Sequence, residues 1–362
     1  MPSRPTQNFG LLSLALGVWL LALAVPARAA EYFDAYGLSP ASPAVDLGIQ
    51  PLGYPSGVIS TVMRHDRTLR KALADLGQPL KTHAFLRGAD MVPLLADRRL
   101  EAGLLGDMPT ILATAMGTTW IVGLAKQTST AVVAKGNIPV RGLAGKRIGY
   151  VPDSSAHHTL LQGLATAGLG EQQVQLVALR VDEMPDALER GDIDAFAAWE
   201  PGPSIALGRS DKNHVVFRGQ STDYFVVERE FVKRSPKAAR HLIAGFLRAI
   251  EWMRRSPANL EKAARWAMTD SQALSRRPPA LSVAQVVAIT RRELLAIPSA
   301  PAILMTPGAV PLKHEFAFLL KQGKLPAGAT WANTEAAFEF DGLAWVFAEP
   351  GSFRIADFDY ED

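Results

Sequence analysis

The chain of 362 residues contains no cysteine. Disulfide bridges, thiolate metal sites and a lipid anchor attached through an N-terminal cysteine are therefore excluded. Long apolar runs are also missing. The run over residues 11–25 (LLSLALGVWLLALAV) is shorter than the ~20 residues that a membrane-spanning helix needs. Stability has to come from the buried core, and the length is sufficient for two domains of about 150 residues.

The apolar run and its flanks have the order of a secretory signal peptide. A short polar segment with one cation, Arg4, precedes the run, and Pro26 and the small-residue signature at residues 27–29 (ARA) follow it. We expect cleavage after Ala29 and export of the remaining chain. The alternative is an uncleaved membrane anchor, against which the short run argues.

An excess of charge of one sign is also missing. Residues 1–29 hold two of the 38 Lys and Arg residues and none of the 35 Asp and Glu residues, which leaves 36 cations and 35 anions in the predicted mature chain. Charges of both signs are interspersed along it, so the basic surface typical of polyanion binding is not expected. We therefore expect no nucleic-acid partner.

Short apolar runs alternate with amphipathic segments from residue 44 onward. Helical spacing of apolar residues predicts helices over residues 58–76 and 156–167, and serine-proline pairs at 235–236 and 256–257 begin two more. Alternating strands and helices indicate parallel pairing and an α/β fold. The predicted strands are residues 45–49, 81–85, 102–105, 121–124, 131–134, 148–151, 174–179 and 193–198.

One pattern occurs twice. Residues 95–102 and 188–195 share apolar and acidic positions, and each continues through small or apolar residues to an acid, Asp107 or Glu200, with a proline close behind. The repeat predicts two similar lobes. Ligands of open α/β sheets bind beyond the carboxyl ends of the strands, so we expect both acids at one cleft between the lobes. A chance resemblance between two short segments is the alternative.

The most specific indication of a binding site is the segment of residues 153–158 (DSSAHH), between a predicted strand and a predicted helix. Hydroxyl groups and unpaired backbone N–H groups converge at such a helix start, and the helix dipole adds partial positive charge. This combination binds sulfonate, phosphate, nitrate or carboxylate groups. The alternative is an ordinary helix cap by Ser154.

Three further turns offer candidate ligand contacts. Trp199 can cover an apolar part of a ligand, while Glu200 accepts a hydrogen bond from a ligand amine or braces a hinge; a core tryptophan beside a surface acid is the alternative. In residues 106–110 (GDMPT), Asp107 or Thr110 can cap a helix and still face the cleft. In residues 53–57 (GYPSG), the glycines permit close backbone approach and Tyr54 offers a stacking ring. Simple turn chemistry explains the last two segments equally well.

Signatures of enzymes and metal sites are missing. The seven histidines lack H-x-x-x-H or H-E-x-x-H spacing, and no G-x-S-x-G, G-x-x-x-x-G-K-[ST] or G-x-G-x-x-G motif is present. We expect no metal site, no cofactor and no catalytic residue.

These segments occur in an order that resembles the nitrate, sulfonate and taurine group of ABC-transporter substrate-binding proteins, the NMT1-like family. The resemblance covers roughly residues 44–270. It is carried by the signal peptide and by the segments at 53–54, 106–110, 143–149 (LAGKRIG), 154–157, 190–195 (RGDIDA) and 199–201 (WEP).

The resemblance implies the type II periplasmic-binding-protein fold, in which two α/β lobes joined by two crossover strands close on a ligand. Residues 44–131 are expected to form the first part of lobe 1, residues 132–222 lobe 2, and residues 223–362 the return to lobe 1 and the C-terminal helices.

The resemblance also implies roles for single residues. The serine-containing turn, with Ser154, Ser155 and His157, holds an anionic head group. Gly53, Tyr54, Trp199 and Glu200 complete the cleft. Asp107 and Met108 are also expected to contact the ligand. Asp107 departs from the neutral glycine- and threonine-rich turn usual in the family. Two carboxylates in the cleft would repel a dianion, so a zwitterion such as an aminosulfonate is our hypothesis for the ligand.

The predicted function is that of the periplasmic solute-binding component of an ABC importer. It would bind a small organic anion or zwitterion of the sulfonate, taurine or nitrate class as a monomer and deliver it to an inner-membrane permease. A receptor for a thiamine-pyrimidine precursor is the alternative, and an iron-dependent pyrimidine-synthesising enzyme of the same fold is disfavoured by export.

Overall fold

The computed structural model describes Met1, residues 31–303 and residues 310–361. The predicted signal peptide falls almost wholly on residues 2–30, outside this described part, so its cleavage after Ala29 stays a prediction. Met1–Ala35 is a unit of its own, in which the described residues supply most of a short 3-10 helix, Tyr32–Tyr36. The elements below belong to the unit Tyr36–Asp362. None of the described helices has the length and hydropathy required to cross a bilayer.

Eight strands in the described residues form one mixed sheet. They are β1 (Val45–Ile49), β2 (Leu80–Ala84), β3 (Ala102–Gly106), β4 (Thr119–Lys135), β5 (Arg147–Tyr150), β6 (Gln175–Ala178), β7 (Ala195–Ala198) and β8 (Asn213–Glu228). Their order across the sheet is β2-β1-β3-β8-β4-β7-β5-β6. Pairing is parallel between β1 and its neighbours and between β5 and its neighbours, and antiparallel at β3–β8, β8–β4 and β4–β7.

Two long strands join the two parallel groups. β4 has 17 residues and β8 has 16, and they pair with each other over their whole length. We call β1–β3 with the helices packed on them the first lobe, and β5–β7 with theirs the second lobe. The predicted boundaries at 131/132 and 222/223 fall inside these long strands, as crossover strands require; the boundaries themselves stay predictions.

Fourteen α-helices occur in the described part of the chain. They are α1 (Ser56–His65), α2 (Arg67–Asp75), α3 (Met91–Ala96), α4 (Asp107–Thr114), α5 (Ser155–Thr166), α6 (Met184–Arg190), α7 (Gly202–Arg209), α8 (Arg229–Arg234), α9 (Pro236–Arg255), α10 (Pro257–Ser275), α11 (Val283–Leu295), α12 (Lys313–Lys321), α13 (Trp331–Ala336) and α14 (Gly342–Ala348).

Strands β1, β3 and β7 are buried on both faces, as their near-continuous apolar sequences require. In the second lobe, alternate residues of β7 serve two different cores. Phe196 and Ala198 pack with α6 and α7, whereas Ala195 and Ala197 pack with α5. A larger core in the first lobe surrounds β1 and β3 with α1, α9 and α10. The packed helices thereby hold the carboxyl ends of the parallel strands in fixed positions.

The sequence predicted most elements, with three errors in their bounds or existence. The single helix predicted over residues 58–76 is wrong, because Asp66 has an extended backbone and its carboxylate accepts the Leu69 N–H at 2.9 Å, which begins a second helix. The strands predicted at 121–124 and 131–134 are one strand, β4. Strand β8 was not predicted at all.

The two predicted serine caps differ. Ser256 accepts the Asn259 N–H at 3.1 Å and caps α10 as expected. α9 does begin at Pro236, but the Ser235 side chain makes no cap bond and instead accepts the Gln78 amide at 2.8 Å. A cap hydroxyl can be taken by a tertiary partner that the sequence does not reveal.

Candidate ligand-binding site

A small cavity lies where the carboxyl ends of strands from both lobes meet the long strands β4 and β8. Ser154, Ser155 and Trp199 line it from the second lobe, and Lys126 and Asp223 line it from the long strands. Its volume is about 30 Å³, which is enough for one or two water molecules. An organic anion therefore fits only after the lobes have moved apart, as in hinged closure around a ligand.

Three helices begin at this cavity. The first turn of a helix has backbone N–H groups without an acceptor in the helix, and the dipole gives this end partial positive charge. The start of α5 offers free N–H groups to an anion. At α4 the Met108 N–H donates to Asp107 and Pro109 has none, and at α1 the Gly57 N–H donates to the Gly53 carbonyl. The residues that line it there are Gly53 and Ser56 at the start of α1, Gly106 and Pro109 at the start of α4, and Ser154 and Ser155 at the start of α5.

Ser154 fixes the start of α5. Its backbone is extended, its hydroxyl accepts the His157 N–H at 3.1 Å and donates to the Val151 carbonyl at 2.7 Å. The cap occupies the N–H of the third helical residue, and the N–H groups of Ser155 and Ala156 have no acceptor within the helix. The alternative of an ordinary helix cap by Ser154 is therefore confirmed, and the ligand role of Ser154 and Ser155 stays a prediction. Ser155, one of the two residues with an uncapped N–H group, lines the cavity.

One cation and one carboxylate are the charged groups among the described residues that line the cavity. Lys126 on β4 is only 1% exposed, and its Nζ donates to Ser221 Oγ at 3.2 Å. Asp223 on β8 is partly buried and accepts from Ser56 Oγ at 2.6 Å. The sheet register places Lys126 directly opposite Asp223, so both side chains lie on the same face.

Burial shifts the protonation of Asp223. Loss of solvent raises the pKa of this carboxyl, the Lys126 charge and the Ser56 hydrogen bond lower it, and the Asp107 carboxylate raises it. The net result is a pKa above the ordinary value for an aspartate. A second cation in the cavity would stabilise the ionised form and offset the burial.

Gly53 and Trp199 are predicted site residues that the structure brings together. The Trp199 Nε1 group donates to the Leu52 carbonyl at 3.1 Å. A Cβ atom on Gly53 would lie 2.9 Å from that indole nitrogen, so the absence of a side chain allows the ring to lie against the loop. The indole thus connects the second lobe to the loop after β1.

Asp107 does not line the cavity. Its buried carboxylate accepts the Met108 N–H at 2.6 Å and lies 3.6 Å from His158 Nδ1, an ion-pair distance. Burial raises the pKa of Asp107, but the His158 charge and the Met108 N–H outweigh it, so that pKa is lowered. Burial lowers the pKa of His158, but Asp107 outweighs it and Glu315 adds to the effect, so that pKa is raised. The pair joins α4 of the first lobe to α5 of the second.

This buried pair makes folding stability depend on pH. The contribution of His158 is complete below its unfolded pKa of about 6.5 and is lost as pH rises through the raised pKa; that of Asp107 is lost as pH falls through the lowered pKa. We expect the free energy of unfolding of the natural chain, relative to Asp107→Asn, to decline as pH rises from about 6 to 9. Urea unfolding at each pH measures it. The exposed control Asp75→Asn should give a flat difference, and an advantage that grows with pH would contradict the pairing.

The other predicted residues have partners outside the small cavity. Glu200 accepts from Arg292 Nη2 at 2.9 Å and from the Ser204 N–H at 3.3 Å. His157 is held between the Asp153 N–H and Glu171 Oε1, and burial lowers its pKa. Met108 is fully buried in the core.

Tyr54 lies on the far side of the loop that contains Gly53. It is buried, and burial raises the pKa of its hydroxyl to about 12. Its backbone N–H donates to the Glu200 carbonyl at 3.0 Å. The ligand roles assigned to Tyr54, Asp107, Met108, His157 and Glu200 stay predictions, and the geometry assigns each of them a structural contact.

Sequence reasoning missed Lys126, Asp223, Ser56 and Gln50, which also line the cavity. Lys126 and Asp223 lie in polar segments, residues 126–130 (KQTST) and 218–223 (RGQSTD), in the middle of β4 and β8. Nothing in the sequence distinguishes these two residues from the other polar residues around them. Among residues 31–303 and 310–361, no group of three or more His, Asp or Glu side chains is arranged to hold a metal ion.

Curated relatives with similar sequences are solute-binding proteins. A putative aliphatic sulfonates-binding protein of Escherichia coli (strain K12) is 29% identical over 163 residues, 43% of this chain and 50% of that protein. The taurine-binding periplasmic protein of the same organism is 28% identical over 222 residues, 56% of this chain and 68% of that protein. The chain thus matches about half of the length of the first relative and two thirds of the second.

Solved structures share the fold. The alkanesulfonate-binding protein SsuA from Xanthomonas axonopodis pv. citri bound to MOPS gives a TM-score of 0.62 at 19% identity, over 81% of this chain and 98% of that one. The periplasmic nitrate-binding protein NrtA from Synechocystis PCC 6803 gives 0.57 at 13% identity, over 86% and 89%. The fold is therefore the predicted periplasmic-binding-protein fold. Because the model of the NMT1-like family matches residues 40–268, more than half of the chain, this protein belongs to the NMT1-like family.

Proposed function

We propose that this protein is the periplasmic solute receptor of an ABC importer and that it captures a small organic anion with a sulfonate head group. One observation carries the proposal: the starts of α1, α4 and α5 converge with the buried cation Lys126 on a single cavity between the lobes. Backbone N–H groups and one ammonium suit a monoanion better than a dianion. The names of the curated relatives support the sulfonate class.

Binding in this proposal is coupled to lobe movement. The two lobes are linked across the cavity by the Trp199–Leu52 and Tyr54–Glu200 hydrogen bonds and by the Arg292–Glu200 ion pair. A ligand that contacts Ser155 on one lobe and Ser56 on the other bridges the lobes and favours a closed liganded state that is slightly wider than the arrangement described here. The closed state then presents the liganded protein to the permease.

The location and the partners are part of the same proposal. Export by the predicted signal peptide brings the mature chain, from residue 30, to the periplasm as a monomer. It acts by binding alone, without catalysis, cofactor or nucleic acid. The periplasmic relative from Escherichia coli (strain K12) supports this location.

The Asp223 carboxylate indicates that the ligand carries a positive charge in addition to its anionic head group. This carboxylate lies opposite Lys126, beside Ser56, and its pKa is raised by burial. A ligand ammonium would stabilise the ionised carboxylate, which a simple alkanesulfonate cannot do. We therefore propose an aminosulfonate, and Asp223 takes the role that sequence reasoning gave to Asp107 and Glu200.

A thermal-shift screen of the mature chain tests the receptor function. The compounds are taurine, ethanesulfonate, nitrate, methylphosphonate and a hydroxymethylpyrimidine. A ligand at 100 times its dissociation constant stabilises the folded state by about 2.7 kcal/mol, which is readily measured. We expect taurine to give the largest shift. A shift from the pyrimidine with none from the sulfonates would overturn the proposal in favour of a pyrimidine receptor.

Asp223→Asn separates the amine from the head group. We expect taurine affinity to fall about 10- to 100-fold, because a charge-assisted hydrogen bond is lost, and ethanesulfonate affinity to stay within about twofold. Isothermal titration calorimetry measures both. In the matched control Asp107→Asn, both affinities should change by the same factor, because that carboxylate pairs with His158. Equal losses for both ligands in Asp223→Asn would refute the zwitterion.

A further inference from the structure

The ring of His157, in the first turn of α5, has a partner on each of its nitrogens and does not line the small cavity. It is only 3% exposed. Its Nδ1 atom accepts the Asp153 N–H at 3.2 Å, and its Nε2 atom lies 2.8 Å from Glu171 Oε1. The Tyr150 ring packs edge-on against it, with the ring centroids 4.8 Å apart. These contacts fix the orientation of the ring.

The two partners determine which ring nitrogen carries the proton. A backbone N–H can only donate, so Nδ1 is the unprotonated acceptor, and Nε2 carries the proton and donates to the Glu171 carboxylate. Burial lowers the pKa of His157 and so favours this neutral form; Glu171 opposes the shift, Lys324 adds to it and Asp153 opposes it. With Tyr150, these are the titratable and charged groups that face the ring in the described part of the chain.

The contact with Asp153 fixes the turn that precedes α5. Asp153 has a φ of 56°, in the left-handed region that a residue other than glycine keeps only where contacts hold it there. The Ser154 hydroxyl fixes the next position through its bonds to the Val151 carbonyl and the His157 N–H. The direction of the Ser155 N–H therefore depends on the His157 ring as well as on the Ser154 cap.

Glu171, in a short 3-10 helix (Glu171–Gln173), is itself oriented by a residue from the C-terminal part of the chain. Lys324 Nζ lies 2.7 Å from Glu171 Oε2, while Oε1 faces His157. Burial raises the pKa of Glu171, but Lys324 and His157 outweigh it, so that pKa is lowered and the carboxylate is ionised at neutral pH. Lys324 follows α12, beyond residues 40–268 that the family model matches. The C-terminal part of the chain thus reaches the turn before α5 through two side chains.

We propose that His157 is a positioning residue for anion binding. Its neutral ring holds the Asp153 N–H and so directs the Ser155 N–H toward the head group. Glu171 and Lys324 keep the ring in the tautomer that can accept this bond. The inference rests on the proposed function, in which the head group binds at the start of α5. Protonation of Nδ1 would set two donors against each other and release the turn, so acid should weaken anion binding.

Two amide variants with no titratable ring test the role of Nδ1. In His157→Asn the amide oxygen can stand where Nδ1 stands, so taurine affinity at about pH 7 should stay within about twofold of that of the natural chain. In His157→Gln the amide stands where Nε2 stands and the Asp153 N–H loses its acceptor, so affinity should fall about five- to tenfold. Isothermal titration calorimetry measures both affinities, and circular dichroism checks that both variants fold.

The pH profile separates positioning from a structural role. Taurine keeps both of its charges between about pH 7 and pH 4.5, and all other groups of the protein are shared with His157→Asn. We expect the affinity of the natural chain, divided by that of His157→Asn, to fall about fivefold over this range, because protonation removes one hydrogen bond from the turn. A cationic ring that simply attracted the anion would raise this ratio instead.

Two further substitutions should move the midpoint of this profile in opposite directions. Glu171 raises the pKa of His157 and Lys324 lowers it. The midpoint should therefore move to lower pH in Glu171→Gln and to higher pH in Lys324→Met. The matched control Lys321→Met removes a charge from the exposed end of α12 and should leave the midpoint in place. A general loss of stability would not give two shifts of opposite sign.

The failures are distinguishable. Nitrogen-15 NMR of the histidine rings reports the tautomer without any ligand, and we expect His157 to be protonated at Nε2 at about pH 7. If no sulfonate binds the natural chain at any pH, the proposed function is wrong and the inference falls with it. If taurine binds but the affinity ratio is flat or rises in acid, or if the ring is protonated at Nδ1 at neutral pH, His157 does not position the turn and the proposed function stands.

Discussion

Lys126→Met is expected to weaken sulfonate binding by about 10- to 100-fold, because a charge-assisted hydrogen bond contributes about 1.5–3 kcal/mol. Lys126 is the cation among the described residues that line the small cavity, and it is almost fully buried. Methionine keeps the length of the side chain and removes the charge. The loss should be similar for taurine and ethanesulfonate, since both carry the sulfonate. Calorimetric titration at constant ionic strength measures the two affinities.

Lys135→Met is the matched control for this change. Lys135 lies at the exposed end of the same strand, away from the cavity, so the same loss of charge should leave both affinities within about twofold. Equal losses in the two variants would indicate a general electrostatic effect rather than a contact in the cavity. Unchanged binding in Lys126→Met would show that the sulfonate does not contact Lys126. It would contradict the proposal that the head group binds in the small cavity.

The local features of the site were predictable because they depend on neighbours in the chain. A serine before a helical pattern predicts a cap, and Ser154 makes that cap. A glycine in a turn predicts close approach, and Gly53 lies against Trp199. The repeat that ends in Asp107 and Glu200 was also read correctly in position, since each acid follows its strand at the start of a helix.

The partners of those acids were not predictable. His158 and Arg292 pair with Asp107 and Glu200 from elements 51 and 92 residues away in sequence, and no local pattern reports such a distance. Asp107 and Glu200 were therefore expected to face a ligand in the cleft. Instead, their ion pairs join helices of the protein to one another. A buried carboxylate is costly without a partner, and a cation of the chain is always present, whereas a ligand is bound only part of the time.

The charged pair in the cavity could not be found for a related reason. Lys126 and Asp223 meet only because β4 and β8 pair antiparallel in one register. A shift of one residue in that register would turn either side chain to the other face of the sheet. Strand β8 carries apolar runs at both ends with polar residues between them, so its continuity depends on β4 rather than on its own sequence.

The largest expected effect on stability is that of Arg248→Met. Arg248 and Asp66 are both fully buried, and Arg248 Nε donates to Asp66 Oδ2 at 2.7 Å. Removing the arginine leaves a buried carboxylate without its cation and deprives the Phe353 carbonyl of a donor at 2.9 Å. We expect the free energy of unfolding to fall by about 3–5 kcal/mol, the range for breaking one side of a buried ion pair. Urea denaturation followed by circular dichroism measures it.

The double variant Asp66→Asn with Arg248→Met separates the pair from the packing. Burial raises the pKa of Asp66 even beside the arginine, so a carboxylate that has lost Arg248 is costly to keep ionised. Neutralising that group should recover part of the loss, and the double variant should be more stable than the sum of the single effects predicts. Lys71→Met, which breaks the exposed pair with Asp75, should not change stability measurably. Strict additivity would show that Arg248 stabilises the fold through its contacts with the carbonyl groups rather than through Asp66.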